Sequence, residues 1–157
     1  MKIIIHGGFF SESSTNIETK IAKQQALLRI VKDSYAYLQN HSALETVVYA
    51  VSQLEDDELF NAGIGSQIQS DGKIRMSASL MDGESQKMSG VINIEEVKNP
   101  IQVAQVLMQV DDRILGGSGA TNFARKHGFE SFSTEIPQRR AEYEAKLASL
   151  GTGTVGC

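Results

Sequence analysis

Between Leu59 and Gly83 the chain reads LFNAGIGSQIQSDGKIRMSASLMDG. Glycines at 63, 65, 72 and 83 break the stretch into turns around short apolar runs. SQIQ (66–69) and KIRMSASL (73–80) flank Ser70-Asp71-Gly72, which predicts a β-hairpin. Met88–Glu95 follows as a third strand of the same sheet. Asn61 stands before Ala62-Gly63-Ile64-Gly65, so an amide that both donates and accepts lies against compact backbone. The bland reading of Asn61 is an asparagine that caps its own loop. The glycine pattern is not a dinucleotide fingerprint, because it precedes a strand instead of opening a helix after one.

Upstream, Lys2–Ile5 is a β-branched run that ends at His6-Gly7-Gly8, which predicts a buried strand and a sharp turn. Thr15-Asn16-Ile17-Glu18 has the form of a capping box. Behind it, Ile17, Ile21, Leu28, Val31, Tyr35 and Leu38 predict the inner face of a helix running to about Asn40. Ser42-Ala43-Leu44-Glu45 repeats the capping signal, and Leu44, Val47, Val48, Val51 and Leu54 mark a second helix, antiparallel to the first across a short connection.

Downstream, Asn99-Pro100 starts a helix with Ile101, Ala104, Leu107 and Met108 facing inward. A shorter helix covers 120–127 and stops at Gly128. From 131 to 150 the composition turns polar and reads as a linker or a weakly docked helix over 141–150. Helices follow helices and strands follow strands, so the fold class is α+β.

The chain has 157 residues, 41% hydrophobic and 22% charged, enough for one domain with a real core. Its net charge of −4, with no basic stretch, argues against nucleic acid as a partner. No run approaches the ~20 apolar residues of a membrane helix, and the isoleucines at 3–5 are too short a run for a signal peptide. Cys157 is the single cysteine, so no intrachain disulfide forms; a cytoplasmic, reducing location is expected.

IIHGG (4–8), LFNAGIGS (59–66), SDGKIRMSASLMDG (70–83), VKNPIQVAQVLM (97–108) and GGSGATNFARKHGF (116–129) stand in the order of five blocks of one family. In these blocks the chain resembles the α-subunit region of the N-terminal-nucleophile asparaginases. That group holds plant-type asparaginase, isoaspartyl peptidase, and their glycosylasparaginase and taspase relatives. The resemblance covers essentially 2–157. It implies the N-terminal half of a four-layer αββα sandwich, with an α-subunit core at 1–130, a linker at 131–150, and an autocleavage site with the start of a β subunit at 151–157.

The resemblance also gives the tail, Gly153-Thr154-Val155-Gly156, a meaning. In the family the precursor is cut just before the threonine of this motif, which becomes the catalytic nucleophile; here that is Thr154, after Gly153. The chemistry is sound, because a freed N-terminal threonine carries its own base, an α-amine of pKa near 8. Before cleavage the same hydroxyl can attack the Gly153 carbonyl to give an ester that water hydrolyses, and glycine tolerates the strained backbone this requires. Thr152 also follows a glycine but lacks the Val-Gly that follows Thr154.

By the same resemblance Asn61 lies beside the nucleophile. The backbone carbonyls of Leu54, Glu55, Asp57, Phe60, Ala62 and Ile64 would wrap a structural sodium ion, a set of oxygens suited to a hard cation. No other cofactor is expected. The implied substrates are asparagine or isoaspartyl dipeptides, and the implied partners are a β subunit of the same precursor in a dimer of αβ heterodimers. The family's substrate-binding groups and oxyanion hole lie in the β subunit, so the chain alone is expected to be inactive. The alternative is a catalytically silent half acting as an assembly or binding module, since its unpaired sheet edges would favour association. His6 reads as structural, and His41 and His127 as helix-end residues. The chain departs from the family at Phe9-Phe10, at Glu58, where proline is common, and at Ser77, where aspartate is common.

Overall fold

A computed structural model describes residues 1–8 and 17–151. Eight elements follow in order: α1 (Ile17–Tyr37), α2 (Ala43–Glu55), β1 (Met76–Asp82), β2 (Lys87–Ile94), α3 (Pro100–Leu107), β3 (Ile114–Gly116), α4 (Gly117–Lys126) and α5 (Pro137–Gly151). The strands form one sheet in the order β1-β2-β3, with β1 antiparallel and β3 parallel to β2. The architecture is α+β, as the order of elements predicts.

One face of the sheet holds the core. Met76, Ala78 and Leu80 of β1 alternate inward, as do Ser89 and Val91 of β2. Val103 and Leu107 of α3 and Ala120 and Ala124 of α4 close over Met76, Val91 and Ile94. Ile101, Ala104 and Met108 join Leu80 to Val48 of α2. Ser89, fully buried, satisfies its hydroxyl on Ala104 O at 2.6 Å. The opposite face carries Met81, Met88, Ile92 and Ile114 in the open, Met81 at 68% exposure. Among the described residues the helices therefore cover one side of the sheet only.

The helix starts behave largely as their sequences predict. Ser42 caps α2 in a complete capping box, accepting from Glu45 N, while the Glu45 carboxylate accepts from Ser42 N at 2.8 Å. Thr15 and Asn16 lie outside the described residues. α3 begins at Pro100, and Ile101, Ala104, Leu107 and Met108 are all buried.

Several expectations are corrected. The run Lys2–Ile5 forms no strand: Ile4 is 95% exposed, and Ile3 and Ile5 are half-buried to either side of it. Ile5 packs on the cluster of Ala26, Ile30 and Phe60, but a strand also needs a neighbour for its peptide groups, and the described residues supply none. The hairpin does not fall at Ser70-Asp71-Gly72. That turn exists, closed by Gly72 N to Gln69 O and Gln69 N to Lys73 O, but SQIQ forms no ladder. The hairpin joins β1 to β2 through 83–86, where the Asp82 carboxylate accepts from the N–H groups of Glu84 and Ser85. The inner face of α1 is Ala26, Ile30 and Ser34, with Leu38 buried just past its end; Ile17, Ile21, Leu28 and Tyr35 are exposed. Small residues at 26 and 34 permit close approach, and that outweighs the larger side chains of the other stripe. β3 and the first turn of α4, around Gly116-Gly117, carry too short an apolar run to be seen in sequence.

Residues 131–136 are tied down at both ends. Phe132 N donates to Glu96 O at 3.1 Å, and Thr134 O accepts from Gly65 N at 2.9 Å. The helix then begins at Pro137 instead of Ala141. No described helix is long and apolar enough to cross a membrane.

The capping box yields a stability prediction. Ser42→Ala is expected to lower the free energy of unfolding by about 1 kcal/mol, read as a fall in the urea midpoint at unchanged m-value.

Candidate active-site loop

The loop that follows α2 closes on itself through main-chain bonds. Ile64 N donates to Glu55 O at 2.7 Å, Phe60 N to Asp57 O at 3.1 Å and Ser66 N to Gly63 O at 3.1 Å. Leu59 N donates to Asp57 Oδ1, while Asp57 Oδ2 pairs with Arg29 of α1 at 3.0 Å. The crossing is so close that a Cβ on Gly63 would lie 2.3 Å from Glu55 O. Gly65 has φ +82°, and a Cβ there would lie 2.7 Å from Glu58 O. Glycine is therefore required at both positions, for close approach at one and for left-handed backbone as well at the other.

Asn61 sits exposed on this loop, and its Oδ1 accepts from Gln67 N at 2.9 Å. That is the loop-capping role. It also fixes the side chain on the rim of a cavity of about 300 Å³ that Glu55, Ser66, Arg75 and Ser77 help to line. Arg75 is committed to its surroundings, with Nε on Glu95 at 2.9 Å and both terminal nitrogens on Asp71 and Gln69. Ser77 stands at a bulge where β2 gains a residue, with Asn93 at φ 54°. Its Oγ accepts from Asn93 N at 3.1 Å.

The six residues expected to offer carbonyls to sodium all fall in the stretch 54–64 that the Glu55–Ile64 bond closes. Leu54 and Glu55 end α2, and the carbonyls of Glu55 and Asp57 each already accept a main-chain N–H. Among the described residues no group of three or more His, Cys, Asp or Glu side chains is placed to hold a metal. Gly153 and Thr154 lie outside the described residues, as does Phe9-Phe10. His6 is exposed, with Nδ1 accepting from Gly8 N at 3.2 Å. His41 and His127 each set Nδ1 2.9 Å from the carbonyl four residues back, Tyr37 O and Phe123 O, at the ends of α1 and α4.

The Glu55 side chain has a role that reading it as a carbonyl ligand does not capture. It is 2% exposed, and its Oε1 accepts from Ile101 N at 3.0 Å. Ile101 N–H is one of the unpaired donors of the α3 first turn. Asn99, the residue at the cap position, makes no side-chain cap bond and instead donates Nδ2 to Asp56 Oδ1 at 3.0 Å. Glu55 thus caps α3 from another helix. Its Oε2 is buried with no hydrogen-bond partner in the structure. Burial pushes the carboxyl up to about 8, outweighing the Ile101 hydrogen bond that pulls it down. The signal was present in the sequence as a carboxylate at position 55, four and seven residues after Val51 and Val48 on an apolar face.

That raised pKa sets a pH dependence. A carboxyl near 4.5 when unfolded and about 8 when folded takes up a proton on folding between those values, so stability falls as pH rises across that window. The loss is on the order of a few kcal/mol. Glu55→Gln, which keeps an oxygen acceptor, is expected to abolish this component. Urea midpoints measured from pH 4.5 to 8.5 check it, and parallel pH profiles for the two proteins would contradict it.

A sequence profile of the asparaginase family matches residues 1–155. The chain is 49% identical over 127 residues to an isoaspartyl peptidase/L-asparaginase of Synechocystis sp., covering 80% of this chain and 38% of that protein. It is 43% identical over 145 residues to a protein of the same name from Nostoc sp., covering 90% and 45%. It is 39% identical over 156 residues to a plant-type L-asparaginase of Pyrococcus furiosus, covering 98% and 50%. The chain thus spans about half the length of the curated relatives it matches, or less.

Proposed function

The chain belongs to the asparaginase family, and on that footing we propose that it is the N-terminal half of an autoprocessing threonine amidohydrolase acting on asparagine or isoaspartyl dipeptides. The observation that carries this reading is the family match through residue 155, which takes in Gly153-Thr154-Val155, in a chain spanning about half the length of its relatives. A second half then supplies the groups that recognise the substrate. The open face of the sheet, with Met81, Met88, Ile92 and Ile114, suits the second sheet of a four-layer αββα sandwich. A dimer of αβ heterodimers in the cytoplasm is the assembly this reading adopts.

In the proposed reaction Thr154 Oγ first attacks the Gly153 carbonyl. The peptide nitrogen leaves as the new α-amine, and water hydrolyses the ester to free the Gly153 carboxylate. In turnover that α-amine takes the proton from Thr154 Oγ as the oxygen attacks the substrate amide carbon. Ammonia, or the amine of the dipeptide, leaves with a proton, and water releases aspartate from the acyl-enzyme. Asn61, held by Gln67 N on a loop with two obligatory glycines, is the residue of this half assigned to the nucleophile's surroundings. A sodium ion on the 54–64 carbonyls would stiffen the same loop.

In the full-length protein, Thr154→Ala is expected to leave the chain uncut by mass and to lower ammonia release from asparagine at least a thousandfold. Residues 1–157 alone are expected to release none. Wild-type activity in Thr154→Ala, or turnover by 1–157 alone, would overturn the reading; the second result would equally exclude a silent assembly module.

A further inference from the structure

Residues 131–151, the segment leading toward Gly153, are fastened to the loop that carries Asn61 at Gly65. Gly65 is buried, and both of its main-chain polar groups are taken by this segment. Its N–H donates to Thr134 O at 2.9 Å, and its carbonyl accepts from Arg139 Nε at 2.7 Å. Arg139 lies in the first turn of α5, with its side chain 13% exposed, and its Nη1 pairs with Glu142 at 2.7 Å. The guanidinium is therefore held from two sides, by a carbonyl and a carboxylate, in a geometry that a lysine's single nitrogen does not reproduce. One turn on, Tyr143 OH donates to Ser70 O at 3.4 Å. Beyond Tyr143 every residue through Ser149 is exposed. α5 is thus docked by its first two turns.

Resting on the proposed scission at Gly153–Thr154, we propose that Arg139 is a positioning residue for that step, registering the start of α5 on the Asn61 loop through Gly65. The physical reason is leverage. From Arg139 to Gly151 an α-helix spans roughly 18 Å, so a small rotation at the anchored turn becomes a displacement of several ångströms at the far end. An intramolecular attack is sensitive to displacements of about 1 Å. Gly65 makes a fixed anchor, because it is buried and both its N–H and its carbonyl are bonded. Once the bond is cut, Thr154 belongs to a new chain and the anchor no longer governs it. Arg139 therefore acts on the precursor and not on turnover.

The test uses the full-length protein with Arg139→Ala, Arg139→Lys and Tyr143→Phe. Scission is followed by mass from freshly purified precursor, and kcat and KM for asparagine are measured after scission is complete. Arg139→Ala is expected to lengthen the scission half-time at least tenfold and Arg139→Lys at least threefold, with kcat and KM of the processed enzymes within twofold of wild type. Tyr143→Phe, which loses the longer contact, is expected to change the half-time less than twofold. Wild-type scission rates in Arg139→Ala overturn the proposal. So does a fall in processed kcat that matches the fall in scission rate, because that marks a residue holding the fold in general. Where Arg139→Ala does not fold, Arg139→Lys decides by the same two readouts. A wild-type precursor that never cleaves defeats the scission reading and this proposal together, and it shows before any variant is compared.

Discussion

Glu55 is held at both its main chain and its side chain, and the candidate site is built around that fact. Its carbonyl accepts from Ile64 N and closes the loop, while its carboxyl accepts from Ile101 N and caps α3. One residue thus joins the end of α2, the loop with Asn61 and the start of the helix that covers the sheet. The cost is a buried carboxyl whose Oε2 has no partner, which is why the neutral acid is favoured well above the ordinary carboxylate range. The benefit is geometric: Pro100 has no N–H to satisfy and Asn99 is engaged with Asp56, so the α3 first turn needs an acceptor from elsewhere.

The two glycines of the loop serve the same economy of space. Gly63 lets the loop cross over Glu55, and Gly65 turns the chain so that its peptide groups meet Thr134 and Arg139. Arg139 lies 74 positions beyond Gly65, across helix, sheet and crossover, yet the contact returns the chain to the edge of the Asn61 loop. The polar stretch after 130 is therefore docked on the protein up to Tyr143, although its composition resembles a linker.

Local signals were legible where one residue's chemistry fixes one backbone feature. The Ser42–Glu45 box, the Asn99-Pro100 start and the α3 inner face follow from capping, the proline ring and a helical period, none of which needs a distant partner. Failures came where a partner decides. Lys2–Ile5 has strand composition but no neighbour among the described residues, and α1 carries two apolar stripes of which the smaller-residue one is buried. The hairpin fell at Asp82–Lys87 because β2 pairs with Met76–Asp82, while the turn at Asp71 is flanked by a segment with no ladder partner.

By itself the sequence determined the α+β class, the family, the position of the loop around Asn61 and the tail motif at Gly153-Thr154, because ordered motifs and short-range periodicity survive without coordinates. Tertiary structure alone decided which stripe of α1 is buried, that the Glu55 carboxyl caps α3, and that Arg139 closes on Gly65. Each of these depends on groups far apart in sequence being brought within hydrogen-bonding or packing distance, and burial then sets the worth of the contact. No local pattern in the chain encodes that.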